Sequence, residues 1–207
     1  MPDSTTGAVF ADAFAAEDDT LLGAREASAQ FGIDPVSPAV GAALAVAAAG
    51  RPAASIVEIG TGVGVSGLWL LRGAPQAQLT TIDVDLDHHQ VARNVFAAAG
   101  HPKQVRFITG DAREVLPRMN DDSYDLVLVD ADWESLPTHV DAALRLARVG
   151  GIVLVARVLQ GGKVANAAKR DRPTVVYREL LKAVRERSDV LAAVLPVGDG
   201  LLHLVRR

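Results

Sequence analysis

A glutamate, several aspartates and a run of closely spaced glycines are the residues of this chain best suited to chemistry. Glu58 sits in the apolar run Ile56-Val57-Glu58-Ile59, directly before Gly60-Thr61-Gly62-Val63-Gly64-Val65-Ser66. Asp83 lies in Thr81-Ile82-Asp83-Val84-Asp85, Asp111 in Thr109-Gly110-Asp111-Ala112, and Asp130 opens Asp130-Ala131-Asp132. Glycine at every second position predicts a tight turn whose backbone, bare of Cβ atoms, approaches a ligand closely. A helix beginning near Ser66 would point its unpaired N–H groups at that ligand. Asp83, 23 positions after Gly60, suits a carboxylate that accepts from both hydroxyls of a ribose. Asp111 is placed to accept from an adenine amino group, with Val84, Gly110 and Ala112 beside it. Taken singly, each carboxylate reads equally well as a helix N-cap. At successive strand ends beside a glycine turn, they read together as a nucleoside site. A dinucleotide fingerprint would need its third glycine at position 65, which is Val65; the third glycine falls early, at Gly64.

The elements that must position these residues alternate. Strands are predicted at about 56–59, 79–83, 105–109, 126–130 and 152–156, separated by helices over 66–71, 86–99, 113–116 and 134–148. This rhythm predicts an α/β protein with a doubly wound, mostly parallel sheet. Its ligands would bind beyond the C-terminal strand ends. Residues 8–31 carry helical spacing and form an N-terminal helical extension over 1–35. Ser37-Pro38 reads as an N-cap followed by proline at the first helical position, opening a helix to about Gly50. A helix near 174–187 precedes two closing strands, 190–195 and 201–205, whose short turn Pro196-Val197-Gly198-Asp199-Gly200 predicts antiparallel neighbours. The polar loop from Gln160 to Arg172 is expected over the ligand-binding edge.

The segments Val57-Glu58-Ile59-Gly60-Thr61-Gly62, Thr81-Ile82-Asp83-Val84-Asp85, Tyr124-Asp125-Leu126-Val127-Leu128-Val129-Asp130-Ala131-Asp132 and Leu195-Pro196-Val197-Gly198-Asp199-Gly200-Leu201 resemble the caffeoyl-CoA and catechol O-methyltransferase family, from about Val36 onward. The run Gly64 to Leu71 resembles its small actinobacterial branch. The resemblance implies a Rossmann-like methyltransferase fold of seven strands with the last antiparallel, a small-molecule acceptor, and commonly a homodimer. It implies S-adenosylmethionine as methyl donor and S-adenosylhomocysteine as product. By matching position, Glu58, Gly60, Gly62, Ser66, Asp83, Val84, Gly110, Asp111, Ala112 and Asp130 would contact or border that cofactor. A row of acids suits its cationic sulfonium better than a pyrophosphate.

The departures from the family pattern bear on mechanism. Metal-dependent members hold a divalent cation with the first acid of Asp-Ala-Asp and an Asp-Asn pair after strand five. Here that pair is Ala156-Arg157, and the family's lysine after Asp-Ala-Asp is Trp133. One carboxylate beside a guanidinium makes a poor cation site, since Arg repels the ion and offers no acceptor. No metal is therefore expected. The catalytic candidates are Asp130 and Arg157, the latter as a fixed charge that binds substrate or pairs with Asp130. Trp133 could stack on an aromatic acceptor or pack, and His139 could serve as a base. His88-His89 read as a surface pair, His203 as packing, and Lys163, Lys169, Arg170 and Arg172 as a solvated loop face.

Composition bounds the alternatives. With 207 residues, 49% apolar and 22% charged, the chain reads as a single domain, 1–207, with ample core. A net charge of −4 gives no global support to a nucleic-acid or acidic-membrane partner. The absence of cysteine excludes disulfides and thiolate chemistry and suits a cytoplasmic protein. No secretory leader is expected, and the apolar stretch 40–49 is too short to span a bilayer. Two other readings stay open. One is a cofactor-binding protein of the same fold, with weak or lost catalysis, acting as a binding or regulatory module. The other is a nucleotide-dependent enzyme of another class, such as a short-chain dehydrogenase, against which Leu128 and Leu181 stand where lysine should follow Tyr124 and Tyr177.

Overall fold

The computed structural model describes residues 4–50 and 53–207; the first three residues of the expected extension lie outside the described residues. Helices α1 (Ser4–Phe14), α2 (Asp19–Gln30) and α3 (Pro38–Gly50) precede a core of β1 (Ser55–Ile59), α4 (Val65–Gly73), β2 (Gln78–Asp83), α5 (Leu86–Ala98), β3 (Val105–Thr109), α6 (Ala112–Val115), β4 (Tyr124–Val129), α7 (Leu136–Leu146) and β5 (Ala147–Ala156). Helix α8 (Arg172–Glu186) and strands β6 (Val190–Leu195) and β7 (Leu201–Arg206) complete it. The sheet order is β3-β2-β1-β4-β5-β7-β6. Neighbours from β3 to β5 pair in parallel, and β7 runs antiparallel to both β5 and β6. The doubly wound expectation and the single reversed strand are both present.

Strand alternation divides the interior into two layers. Ile56, Leu126, Leu128 and Leu154 point to one face and pack with Leu44, Leu68, Trp69 and Phe96 of α3, α4 and α5. Val57, Val127, Val129, Val153 and Val155 point to the other and meet Leu116, Val140, Leu144, Tyr177 and Val184. Both faces are covered, which explains why β4 over 126–129 and β5 over 152–156 are apolar without interruption.

The parallel ladder also aligns the candidate residues. Beyond the strands, Gly60 N–H donates to Ile82 C=O, Asp130 N–H to Ile59 C=O and Gly110 N–H to Asp83 C=O, each at 2.9 Å. Gly60, Asp83, Gly110 and Asp130 therefore share one edge. Gly60 has φ +96°, and a Cβ there would lie 2.0 Å from the Asp130 carbonyl oxygen. The turn needs glycine for both reasons.

The N-terminal helices are bound to this edge. Trp69 of α4 donates its indole N–H to Glu17 at 3.1 Å, and Glu17 holds Arg25 of α2 at 2.6 Å. Arg25 in turn donates to the Val36 carbonyl at 2.9 Å, fixing the segment between α2 and α3. Two expectations need correction. The helix predicted over 134–148 stops at Leu146, because Ala147 pairs with Tyr124 through an irregular register and Arg148 reaches Asp125 at 3.0 Å, drawing the chain into β5. The loop 160–172 does not cover the ligand edge. Arg178 of α8 donates to the carbonyls of Lys163, Val164, Asn166 and Lys169 and holds it aside.

Gly60→Ala should cost at least about 3 kcal/mol, since strain at positive φ adds to a backbone overlap. Urea unfolding measures this, and a loss under about 1 kcal/mol would show that the β1 and β4 ends separate readily.

Candidate functional site

A cavity of about 410 Å³ opens at the C-terminal strand ends. Gly60, Gly62, Ser66, Asp83, Val84, Gly110, Asp111, Ala112, Asp130 and Arg157 all line it. Glu58 does not. It is fully buried beneath the glycine turn and meets the cavity only through Ser66.

Asp83 ends β2 facing the turn. One carboxylate oxygen accepts from the backbone N–H of Thr61 at 3.0 Å and Gly62 at 2.9 Å, and the other from Asp85 N–H at 3.0 Å. The turn is thus folded around this side chain. Below it, Glu58 accepts from Ser66 and Thr81 hydroxyls, each at 2.6 Å. Burial raises its pKa to about 7, against the lowering effect of those two bonds, with the Asp130 and Asp83 charges adding to the rise.

Asp111 serves as both helix cap and cavity wall. It accepts from Arg113 N–H at 2.8 Å at the start of α6, while the Arg113 guanidinium grips the same carboxylate at 3.0 Å. That side-chain bond is the main reason its pKa falls to about 2. His139 of α7 lines the cavity here. The residue is 1% exposed, and neither ring nitrogen makes a hydrogen bond. Burial pushes its pKa down, opposed by the Asp132 and Asp111 charges. It shares the cavity lining with Asp111, Arg113 and Asp130, and no hydrogen bond orients it toward any of them.

At the opposite end, Arg157 Nε donates to Asp130 at 2.9 Å. Its other nitrogens donate to Asp34, to the carboxylate at 3.0 Å and to the backbone carbonyl. Burial would lower the guanidinium pKa, but the Asp130 charge and the bonds to Asp130 and Asp34 outweigh it and hold it raised. Arg157 adopts φ +62°, a conformation uncommon for a side chain of this kind. The donor set does not fit a divalent cation. Asp130 is engaged by a guanidinium, Ala156 offers no side-chain oxygen, and no cluster of three acidic or histidine ligands exists among the described residues.

Other sequence readings are revised. His89 is not on the surface: it is fully buried, whereas His88 lines the cavity. Trp133 packs against the apolar layer below α7, with Arg172 over its ring at 5.9 Å, and lines none of the cavity. Lys163, Lys169, Arg170 and Arg172 are exposed and do not line the cavity, in keeping with a solvated face. Sequence reasoning missed Ile33, Asp34, Pro35 and Val36, which roof the cavity, and Arg113. Asp34 lies 123 positions from Arg157, so no spacing rule relates them. Arg113, two residues after Asp111, was the one local signal available.

A family model described as O-methyltransferase matches residues 21–207. A Mycobacterium marinum protein named as a candidate O-methyltransferase is 43% identical over 192 residues, covering 92% of this chain and 86% of its own. Among solved structures, the O-methyltransferase TomG of Streptomyces achromogenes, involved in tomaymycin synthesis and in complex with SAM, superposes with a TM-score of 0.84 at 32% identity, covering 92% of this chain and 91% of its own. The cofactor-bound Rv0187 protein of MTB gives 0.87 at 31% identity, covering 100% and 99%.

The buried Glu58 links stability to pH. Its folded pKa exceeds the ordinary value of 4.5, so the folded state holds the proton more tightly. That contribution is present below about pH 4.5 and lost as pH rises through about 7. Glu58→Gln carries no charge, so its stability relative to the parent should improve by up to ~3 kcal/mol between about pH 4.5 and about pH 8.5. Urea unfolding of both proteins across this range tests it, and a constant difference would contradict the assignment.

Proposed function

Because the chain belongs to the O-methyltransferase family, we propose that it moves a methyl group from S-adenosylmethionine to an oxygen of a small-molecule acceptor without a divalent cation. The observation that carries the metal-free reading is the Arg157–Asp130 bond of 2.9 Å, which occupies the one carboxylate a cation would need. S-adenosylmethionine supplies a methyl carbon already activated by its sulfonium, so holding the two reactants close and aligned is the protein's main task.

The lining residues suit that task. The backbone at Gly60 and Gly62 and the Ser66 hydroxyl face the cavity beside Asp83, which keeps acceptor capacity for a ribose after its three backbone bonds. Val84, Gly110, Asp111 and Ala112 flank the place for the base. Glu58 acts through Ser66. Asp130 and Arg157 face the reacting end, where the guanidinium, held by two acids, supplies a fixed positive charge to an acceptor oxygen. Asp34 and its neighbours bring the N-terminal helices into the acceptor side, which supports reading 1–207 as one domain.

A homodimer remains part of this reading, supported by the exposed apolar ridge of Val9, Phe10 and Phe14 on α1. No described helix is long and apolar enough to cross a membrane. A cytoplasmic location rests on the cysteine-free composition.

Two measurements test the proposal. S-adenosylhomocysteine affinity by calorimetry, and methyl transfer to a panel of phenols, should be unchanged by EDTA or added magnesium. Activity abolished by EDTA and restored by magnesium would overturn the metal-free reading. Arg157→Ala should lower stability by about 1–3 kcal/mol, because it leaves Asp130 partly buried and unpaired. It should also reduce acceptor kcat/KM by at least about tenfold while leaving S-adenosylhomocysteine affinity within about threefold. A mutant with normal melting and normal kinetics would remove Arg157 from the site.

A further inference from the structure

Beneath the cavity runs an unbroken chain of polar groups, buried from Glu58 to His89 and ending at the exposed Thr109. From Glu58, Thr81 Oγ1 is at 2.6 Å; from Thr81, Thr61 Oγ1 is at 2.6 Å. Thr61 Oγ1 is 3.0 Å from His89 Nε2, and His89 Nδ1 is 2.8 Å from Thr109 Oγ1. Glu58, Thr81 and His89 have no exposure, and Thr61 has 2%. Thr61 belongs to the glycine turn, and Thr109 precedes Gly110 and Asp111. A single imidazole on α5 thus ties together the two turns that flank the proposed ribose and base positions.

We propose that His89 is a positioning residue for the methyl-donor site, and that the protonation of Glu58 sets the direction of the hydrogen bonds running through it. The proposal rests on the donor-site reading above. With Glu58 ionised, both its oxygens accept, so Thr81 must donate to it. Thr61 then donates to Thr81, His89 donates through Nε2–H to Thr61, and Thr109 donates to the bare Nδ1. Every group is paired once in this direction. When Glu58 takes up one proton from solvent on its Thr81-facing oxygen, that O–H donates to Thr81. Thr81 then donates to Thr61, Thr61 to Nε2, and the imidazole proton moves to Nδ1, where it donates to Thr109. The net change is one proton gained at Glu58 and one tautomer exchanged at His89. Reversal on this side keeps each buried group matched, whereas reversal toward Ser66 would turn that hydroxyl's hydrogen into the cavity.

The surroundings favour a neutral His89. Burial lowers its pKa, with Asp83 and Asp85 opposing and Arg93 and His88 reinforcing. The Phe107 ring meets it edge-on at 5.2 Å. Glu58 is faced by Ser66 from α4, Thr81 from β2, and the charges of Asp83 and Asp130. A neutral imidazole, one donor and one acceptor, is the group such a reversible chain requires.

The test is nitrogen-15 NMR of the imidazole together with calorimetry. In the parent protein His89 should carry its proton on Nε2 at about pH 8.5 and on Nδ1 at about pH 6, on either side of the Glu58 titration. Glu58→Gln, whose amide donates to Thr81 at every pH, should hold the Nδ1–H form throughout. One tautomer at both pH values in the parent would overturn the relay. For positioning, His89→Leu should weaken S-adenosylhomocysteine binding at least about tenfold, and His89→Gln, which keeps one donor and one acceptor, should stay within about threefold. Thr109→Val, which removes a single hydroxyl, serves the same purpose if His89→Leu does not fold, and should weaken binding by at least about threefold. Unchanged affinity in the folded variants would overturn the positioning role. Failure of the parent protein to bind S-adenosylhomocysteine would instead sink the donor-site reading, while the tautomer measurement needs no ligand.

Discussion

The carboxylate of Asp83 accepts the N–H groups of Thr61 and Gly62 at 3.0 and 2.9 Å, and the shape of the cavity depends on that contact. A turn made of alternate glycines has little conformational preference of its own and loses much entropy on ordering. The charge-assisted bonds from β2 are what fix it. Once the turn is fixed, Gly60 lies against the Asp130 carbonyl, Ser66 stands above Glu58, and α4 leaves toward Trp69. Trp69 then reaches Glu17, and through Arg25 the segment at Val36 is drawn over the cavity. Roof and floor therefore descend from one side chain at the end of β2.

Arg157 occupies a backbone conformation that suits other residue types better. Asparagine visits positive φ readily because its short polar side chain bonds locally. Arg157 takes φ +62° and bears a strain that its contacts must offset. Those contacts are Asp130 and Asp34, one from the sheet edge and one from the N-terminal segment. The Arg157 guanidinium thereby links the N-terminal segment to the sheet edge at β4 and β5.

The parts of the structure legible in the sequence were those governed by local pattern. β1, β2 and β4 declared themselves as short runs rich in apolar and β-branched residues, Ser37-Pro38 as a helix start, and the strand-end acids as a row. Each follows from period, capping or turn chemistry within a few residues. What could not be read was set by distant partners. Nothing near His89 distinguishes it from His88, yet one is sealed between Thr61 and Thr109 while the other borders the cavity. The helix expected over 134–148 was stopped by a β-register irregularity and an arginine reaching Asp125, neither visible in a helical pattern. The loop after Gln160 looked poised over the ligand edge because its restraint, Arg178, belongs to the following helix.

The charge balance of the cavity alters one argument that the sequence invited. A row of acids at the strand ends suggests a strongly negative site drawing in a cationic sulfonium. In the folded protein each of these carboxylates is already compensated: Asp83 by backbone amides, Asp111 by Arg113, and Asp130 by Arg157. Opposite charges within about 3–4 Å cancel most of the field that a distant ligand would feel. Recognition of the donor must then rest chiefly on shape, on short directional hydrogen bonds and on the backbone exposed by glycine, with net attraction a smaller part. The same compensation explains how several carboxylates can share one edge of the sheet at neutral pH. It leaves Glu58, buried with hydroxyl partners alone, as the acid whose ionisation the fold itself opposes.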